Sequence, residues 1–234
     1  MSILNPIVDL LKVVLDFYYG FLHSYGLSII ALTLTVRVAL IPLTLKQTKA
    51  MKDMQIIQPK LKELQAKHKN DKDKLAKEQM KLYKDHKVNP LGGCLPLLLQ
   101  MPIFFSLFTL LRKPIFKGIS WGTGWFAIAD LSKGASAFGA ALAQAWPYWI
   151  LIGLIVLTTY VSQKQTTTDP QQAKMMAFMP LIIGFISFSL PAGVMLYWVT
   201  FNATGIGQQY LYERYLDNKE EPADAEKPKR DRKK

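Results

Sequence analysis

Cysteine and histidine are almost absent from these 234 residues: one Cys and three His. A lone cysteine, Cys94, excludes an intramolecular disulfide framework and an all-cysteine metal site. His23, His68 and His86 are scattered, with no HExxH or comparable ligand spacing, and read as surface or interfacial side chains. No GxxxxGKS or GxxxxGKT loop occurs, so nucleotide phosphates have no cradle. No Ser/His or carboxylate pair falls within the long apolar stretches, which leaves an intramembrane hydrolase without a dyad. No cofactor or metal is implied, and the chain does not read as an enzyme. Acidic residues are also missing from one place in particular: none of the 17 Asp and Glu lies in a long apolar stretch.

Half of the residues are hydrophobic, yet the formal charge is +12. Those two properties together fit a membrane protein with basic cytoplasmic parts. Five stretches are long or apolar enough to span a bilayer: 27–45, 94–112, 146–163, 175–190 and 192–211. Pro191 alone separates the last two, which predicts a tight hairpin. The fourth, at 16 residues, is near or below the usual length for crossing ~30 Å of hydrocarbon, and a locally thinned bilayer would accommodate it. With flanks included, the spanning domains are expected at 25–45, 91–112, 146–163, 175–190 and 191–212.

Basic residues orient the chain. With the N-terminus outside, segment 46–90 is cytoplasmic with 13 Lys and Arg, loop 164–174 with 2, and the tail from Arg214 with 8. Only Lys12, Arg112, Lys117, Lys113 and Lys133 then lie outside, 5 against 23 inside. Residues 1–24 have no basic start of the kind a secretory signal carries. Ile3, Leu4, Ile7, Val8, Leu10, Leu11, Val14, Leu15 and Tyr18 recur at helical spacing, opposite Asn5, Asp9, Lys12 and Asp16. This predicts an amphipathic helix along the external interface; a sixth, re-entrant or spanning, segment is the alternative. Segment 113–145 is the external loop.

Segment 46–90 reads as a cytoplasmic helical hairpin, with arms at 48–67 and 72–87 rich in Lys, Gln, Leu and Met and a break at 68–73. Met51, Met54, Ile57, Leu61 and Leu64 form a helical seam, answered more weakly by Leu75, Leu82 and Tyr83. Pro59 should kink the first arm. The hairpin is either a solvated loop near anionic lipid heads or a docking arm for another protein. The tail, 213–234, should be disordered from Asp217 onward and ends in KPKRDRKK, suited to lipid heads or RNA by charge alone. No aromatic residues interleave its lysines, which argues against sequence-specific RNA reading.

Arg37 is the residue that needs an explanation. It lies roughly 15 Å from Leu27 and roughly 12 Å from Leu45 along a helix, near the bilayer midplane. An ionised side chain there costs at least ~2.5–3.5 kcal/mol. No carboxylate within the spans can balance it, so it should rest in a hydrated groove among neutral polar groups. Thr33, Arg37 and Thr44 share one face of the first span. Trp198, Asn202, Gly205 and Gln209 share a face of the fifth, with Tyr197, Thr204 and Gln208 beside them. Gln100 in the second span and Thr158, Thr159 and Ser162 in the third add polar groups. For any one Thr or Ser, backbone bonding or helix packing is the commoner role. Together they argue for a wet groove, where a fixed cation attracts an acidic group from outside the protein.

The segments LTLTVRVALIPLTLKQ, NPLGGCLPLLLQMPIFFSLF, TTTDPQQAKMMAFMPLII and PAGVMLYWVTFNATGIGQQYL, in this order and with the lysine-rich hairpin after the first, resemble the YidC/Oxa insertase family over roughly residues 20–215. The resemblance implies an all-α integral membrane protein: a five-transmembrane-helix core around a hydrophilic groove, open to cytoplasm and lipid and closed to the outside. It implies a membrane insertase and chaperone of single- and double-spanning proteins, alone or with the Sec translocon, in the bacterial inner membrane. The family's groove arginine falls on Arg37, its substrate-contacting threonine on Thr33 and its fifth-span aromatic on Trp198, beside Tyr197. With Gln100 and Asn202 these make up the expected substrate-binding groove. Implied partners are nascent membrane proteins and lipid, with the Sec translocon, the signal recognition particle pathway and the ribosome reached through hairpin and tail. The chain departs from Gram-negative members in lacking a large external domain and its anchor helix, and from lipoprotein members because Cys94 is far from the N-terminus.

On this reading a substrate's acidic tail enters the groove and is held transiently by Arg37. Its apolar helix partitions into lipid beside the first and fifth spans, driven by burial of apolar surface. The membrane potential favours outward movement of an acidic tail by ~2.3 kcal/mol per charge per 100 mV. An anion transporter or channel with Arg37 as substrate site is the alternative. Inverted repeats would favour that alternative, and none is visible between the two ends of the chain.

Overall fold

The structure, a computed structural model, describes residues 4–69, 71–88, 95–113, 116–117, 119–123, 126–128, 130–138, 145–166 and 176–224. For 95–99, 122–123, 126–127, 138, 166 and 216–224 it describes the backbone only. Cys94, loop 167–175 and the KPKRDRKK end lie outside the described residues.

The described chain is nearly all helical. Its helices are α1 (Asn5–Leu22), α2 (Tyr25–Lys67), α3 (Lys72–Asp85), α4 (Leu95–Leu111), α5 (Trp146–Thr166), α6 (Met179–Ser187) and α7 (Ala192–Asp224). Between α4 and α5, strands β1 (Trp121–Thr123) and β2 (Phe126–Ile128) pair antiparallel, with Gly122 opposite Ala127, followed by a 3-10 turn at Ala135–Phe138. This small hairpin stands where only a loop was expected. Among the described residues, α2 is the one helix long and apolar enough to cross a membrane, with a mean hydropathy of 2.0 over an 18-residue stretch; Gln100–Leu111 is a shorter apolar helix.

Helix α7 is the hub, packed against α5, α2 and α4, while α6 lies on α5 and α1 on α2 and α4. Contacts fix the directions. Arg37 meets Phe201 and Thr44 meets Gln208, so α2 and α7 run parallel. Asn202 meets Thr159 and Gln209 meets Gln165, so α5 runs with them. Helix α4 runs the other way: Gln100 meets Tyr197, whereas Leu111 lies beside Gly193.

Burial is lopsided along this bundle. One end is a packed core of Leu11 and Leu15 (α1), Ile29 and Leu32 (α2), Leu107 and Leu110 (α4), Tyr148 and Ile155 (α5), and Val194 and Met195 (α7). The loop after α4 caps that end. Leu131 donates its N–H to the Ile119 carbonyl, and the carbonyls of Leu131 and Lys133 accept from Gly193 and Ala192 at the start of α7. Ser136 N–H reaches the Phe188 carbonyl. The Tyr148 hydroxyl donates to the buried Asp130 carbonyl at 3.0 Å. Towards the other end burial falls: past Thr33, α2 carries exposed or half-buried side chains until Gln47.

Helix α1 buries Val8, Leu11 and Leu15 against the bundle and leaves Leu10, Val13, Phe17 and Phe21 as an exposed apolar stripe. Asp16 pairs with Lys12 one turn away and holds that ammonium above its ordinary pKa. The helix therefore packs on the protein with one apolar face and leaves a second one exposed.

Three expectations shift in detail. Helix α2 continues from the apolar span into the hairpin arm as 43 residues, through Pro42 and Pro59. Each proline removes one N–H donor, and intact turns on either side carry the helix past it. Its partner α3 is N-capped by the Asp71 carboxylate, which accepts from Lys74 N–H at 3.0 Å. The fourth stretch is helical over only 9 residues, Met179–Ser187, shorter than the expected 175–190. Helix α7 extends to Asp224, where disorder was expected from Asp217. Glutamate and lysine are good helix formers, and they prolong a helix already nucleated by packing upstream.

Candidate functional site

Arg37 sits half-buried between α2 and α7. Its Nε donates to the Phe201 carbonyl at 3.0 Å, and Nη2 donates to the same oxygen. Cζ lies 3.6 Å from the centre of the Phe201 ring. The cation is thus met by a carbonyl dipole and a ring quadrupole, and by no carboxylate among the described residues. The sequence census found no carboxylate within the apolar stretches. It did not find Phe201, because a backbone carbonyl as acceptor leaves no trace in side-chain chemistry.

That carbonyl is reachable for a local reason. In an α-helix the Cβ of residue i+4 leans back over the carbonyl of residue i. At position 205 there is no Cβ, and one placed there would overlap Arg37 Nη2. A carbonyl oxygen has two lone pairs, so the Phe201 oxygen can serve its own helix and Arg37 together.

The other expected groove residues divide among three seams. Gln100 donates to the Tyr197 hydroxyl at 2.8 Å, joining α4 to α7, with Tyr197 buried. Asn202 faces α5, donating to Thr159 at 3.1 Å and more weakly to Thr158 at 3.5 Å. One heptad on, Gln209 reaches the Gln165 carbonyl at 3.2 Å. On the α2 side, Gln208 donates to Thr44 at 2.6 Å, one heptad past the Arg37–Phe201 contact. Trp198 is half-buried, its ring edge-on to Phe104 at 5.1 Å. Thr33 is fully buried and donates to the Ile29 carbonyl of its own helix at 2.6 Å, so its hydroxyl is already engaged. Arg37, Thr44 and Gln208 therefore come together, while Asn202 and Gln209 face the opposite side of α7.

A cavity of about 660 Å³, lined by Arg112, Lys117, Asp130, Ser132 and Lys133, lies at the capped end, remote from Arg37. Asp130 is occupied there by the Ser132 hydroxyl at 2.6 Å and by Lys133 at 3.4 Å.

The model of the 60Kd inner membrane protein family matches residues 17–220. Curated relatives named membrane protein insertase YidC include that of Pelobacter propionicus, 40% identical over 206 residues, covering 87% of this chain and 38% of the relative. The protein of Wolinella succinogenes is 41% identical, covering 92% of this chain and 38% of the relative. The protein of Haemophilus influenzae is also 41% identical, covering 88% and 36%. A crystal structure described as an active YidC insertase with its first transmembrane domain resolved superposes with a TM-score of 0.66 at 27% identity, covering 89% of this chain and 46% of that one. The chain thus spans a little over a third of the length of these curated relatives. With the family model matched across most of its length, the chain belongs to the 60Kd inner membrane protein family.

Proposed function

We propose that this chain is a membrane protein insertase of the bacterial inner membrane, acting on single- and double-spanning substrates whose hydrophilic tails it captures through Arg37. The observation that carries the reading is an arginine deep in a membrane-length apolar helix, with no carboxylate partner among the described residues. A buried cation balanced only by dipoles retains attraction for an anion, and an acidic substrate tail supplies one. Support also comes from the lopsided burial: a core capped by the loop after α4, and exposed or half-buried side chains on α2 beyond Thr33. With the capped end outside, the less buried end faces the cytoplasm and the basic hairpin, as the charge distribution requires.

In this reading α2, α4, α5, α6 and α7 are the five membrane-crossing elements, with the N-terminus outside and the C-terminus in the cytoplasm. That α2, α5 and α7 run together and α4 runs against them supports this reading. The hairpin and basic tail are the contact points for the signal recognition particle pathway and the ribosome, and the Sec translocon is an optional partner. Groove contacts come from Arg37, Gln100, Tyr197, Trp198 and Asn202. Thr33 joins them only if the helices part, because its side chain is buried at rest. The anion-channel alternative has no observation in its favour.

Site-specific photocrosslinking to a stalled nascent chain tests the reading. Probes at Trp198 and Thr33 should crosslink, and a probe at Phe185, exposed on α6, should not. Crosslinking from Phe185 alone would remove the groove from the mechanism.

A further inference from the structure

The Arg37 guanidinium is held along one edge and free along the other. A guanidinium carries five N–H donors in a fixed fork. One from Nε and one from Nη2 go to the Phe201 carbonyl, and the Phe201 ring covers a face. Nη1 has no hydrogen-bond acceptor among the described residues. The free edge, Nη1 with the outer N–H of Nη2, is the end-on fork that receives a carboxylate through two parallel bonds. The held edge depends on glycine at 205: a Cβ there would overlap Nη2 and lie 2.8 Å from Cζ. Two residues further on, a Cβ at Gly207 would meet nothing within 4 Å.

We propose that the Phe201 carbonyl and ring, exposed by Gly205, form a seat on α7 that preorients Arg37 so that its free fork receives the carboxylate of an acidic substrate tail. Gly205 and Phe201 are positioning residues, and the proposal rests on the role given to Arg37 above. The seat fixes a flexible side chain before substrate arrives, which lowers the ordering cost of capture. It also makes selection for acidic tails depend on a residue that touches no substrate.

The test uses the full chain in liposomes and two single-spanning substrates whose tails differ only in carrying two Asp or two Asn. Gly205→Ala should lower insertion of the Asp-tailed substrate about tenfold and leave the Asn-tailed one within twofold. Gly207→Ala should change neither. The added Cβ meets only the far end of a flexible side chain, and alanine favours helix, so the variant folds. A second readout needs no substrate. Solvent exchange of the Arg37 Nε–H, assigned by its loss in Arg37→Ala and followed by nitrogen-15 NMR in nanodiscs, should speed up at least tenfold in Gly205→Ala and stay unchanged in Gly207→Ala. Unchanged exchange and unchanged Asp-tail insertion in Gly205→Ala would overturn the seat. Equal loss for both tails would also overturn it, as a purely structural effect. If Arg37→Ala removes the preference for acidic tails while Gly205→Ala does not, the seat fails and the capture role stands. If neither variant alters the preference, both fail.

Discussion

Replacing Arg37 by alanine should separate insertion from folding. The substitution deletes two bonds to the Phe201 carbonyl and the stack on its ring. Hydrogen bonds to charged groups are worth roughly 1.5–3 kcal/mol, and partly desolvated cation–π contacts roughly 0.5–2 kcal/mol. Against that loss stands the cost of placing arginine deep in the membrane, about 2.5–3.5 kcal/mol. The two bonds share one oxygen and count as about one, so the loss of roughly 2–5 kcal/mol overlaps that cost and the alanine form should melt in detergent within a few degrees of the wild type. Its effect on an acidic substrate does not cancel. A unit-charge pair at 4 Å attracts by about 4 kcal/mol at an effective dielectric constant of 20. Desolvation and ordering leave a net gain on the order of 1.4–2.8 kcal/mol, a factor of roughly 10–100 in capture. In a depletion strain complemented by plasmid, Arg37→Ala should therefore fail to insert an acidic-tailed substrate. Arg37→Lys keeps the charge without the fork, and should lower insertion of an acidic-tailed substrate about tenfold, as Gly205→Ala does, while staying above the alanine form. Full rescue by the alanine form, with the protein at wild-type levels, would refute the electrostatic role.

Two further expectations concern the ends of the bundle. Gly134→Ala places a Cβ 2.6 Å from the Leu190 carbonyl and 2.9 Å from that of Phe188, backbone atoms that cannot rotate away. It should cost about 1–3 kcal/mol as an overpacking defect and expose the loop after α4 to limited proteolysis, whereas wild-type resistance would show that the cap is looser than its hydrogen bonds imply. Deleting the hairpin tip around 68–73 should impair insertion in cells more than in a purified liposome system, and equal losses would argue against a targeting role.

Much of this architecture could be read locally. Apolar runs place the helices, and the 68–73 break divides α2 from α3. Arg37 was identifiable as a cation without an internal counter-ion because that required only the positions of the 17 acidic residues. The short α6 was expected to be marginal in length, and it is shorter still. The β1–β2 hairpin was missed because three-residue strands are too brief to show an alternating pattern. Helical faces could not be assigned to partners: Asn202 and Gln209 look towards α5, while Gly205 and Gln208 look towards α2. Periodicity gives the angle of a side chain around its own axis and says nothing about which helix lies there.

The sequence by itself determined that a cation would lie deep in an apolar helix and that no acidic residue of the chain would share its depth. Hydropathy and charge are properties of composition along the chain, and they need no fold to be counted. Only the tertiary structure decided what the cation rests on. Phe201 is 164 residues away from Arg37, and its carbonyl becomes an acceptor because the helix leaves a glycine, Gly205, beside it and α2 packs against that opening. A backbone acceptor looks the same at every residue until packing determines which one is uncovered.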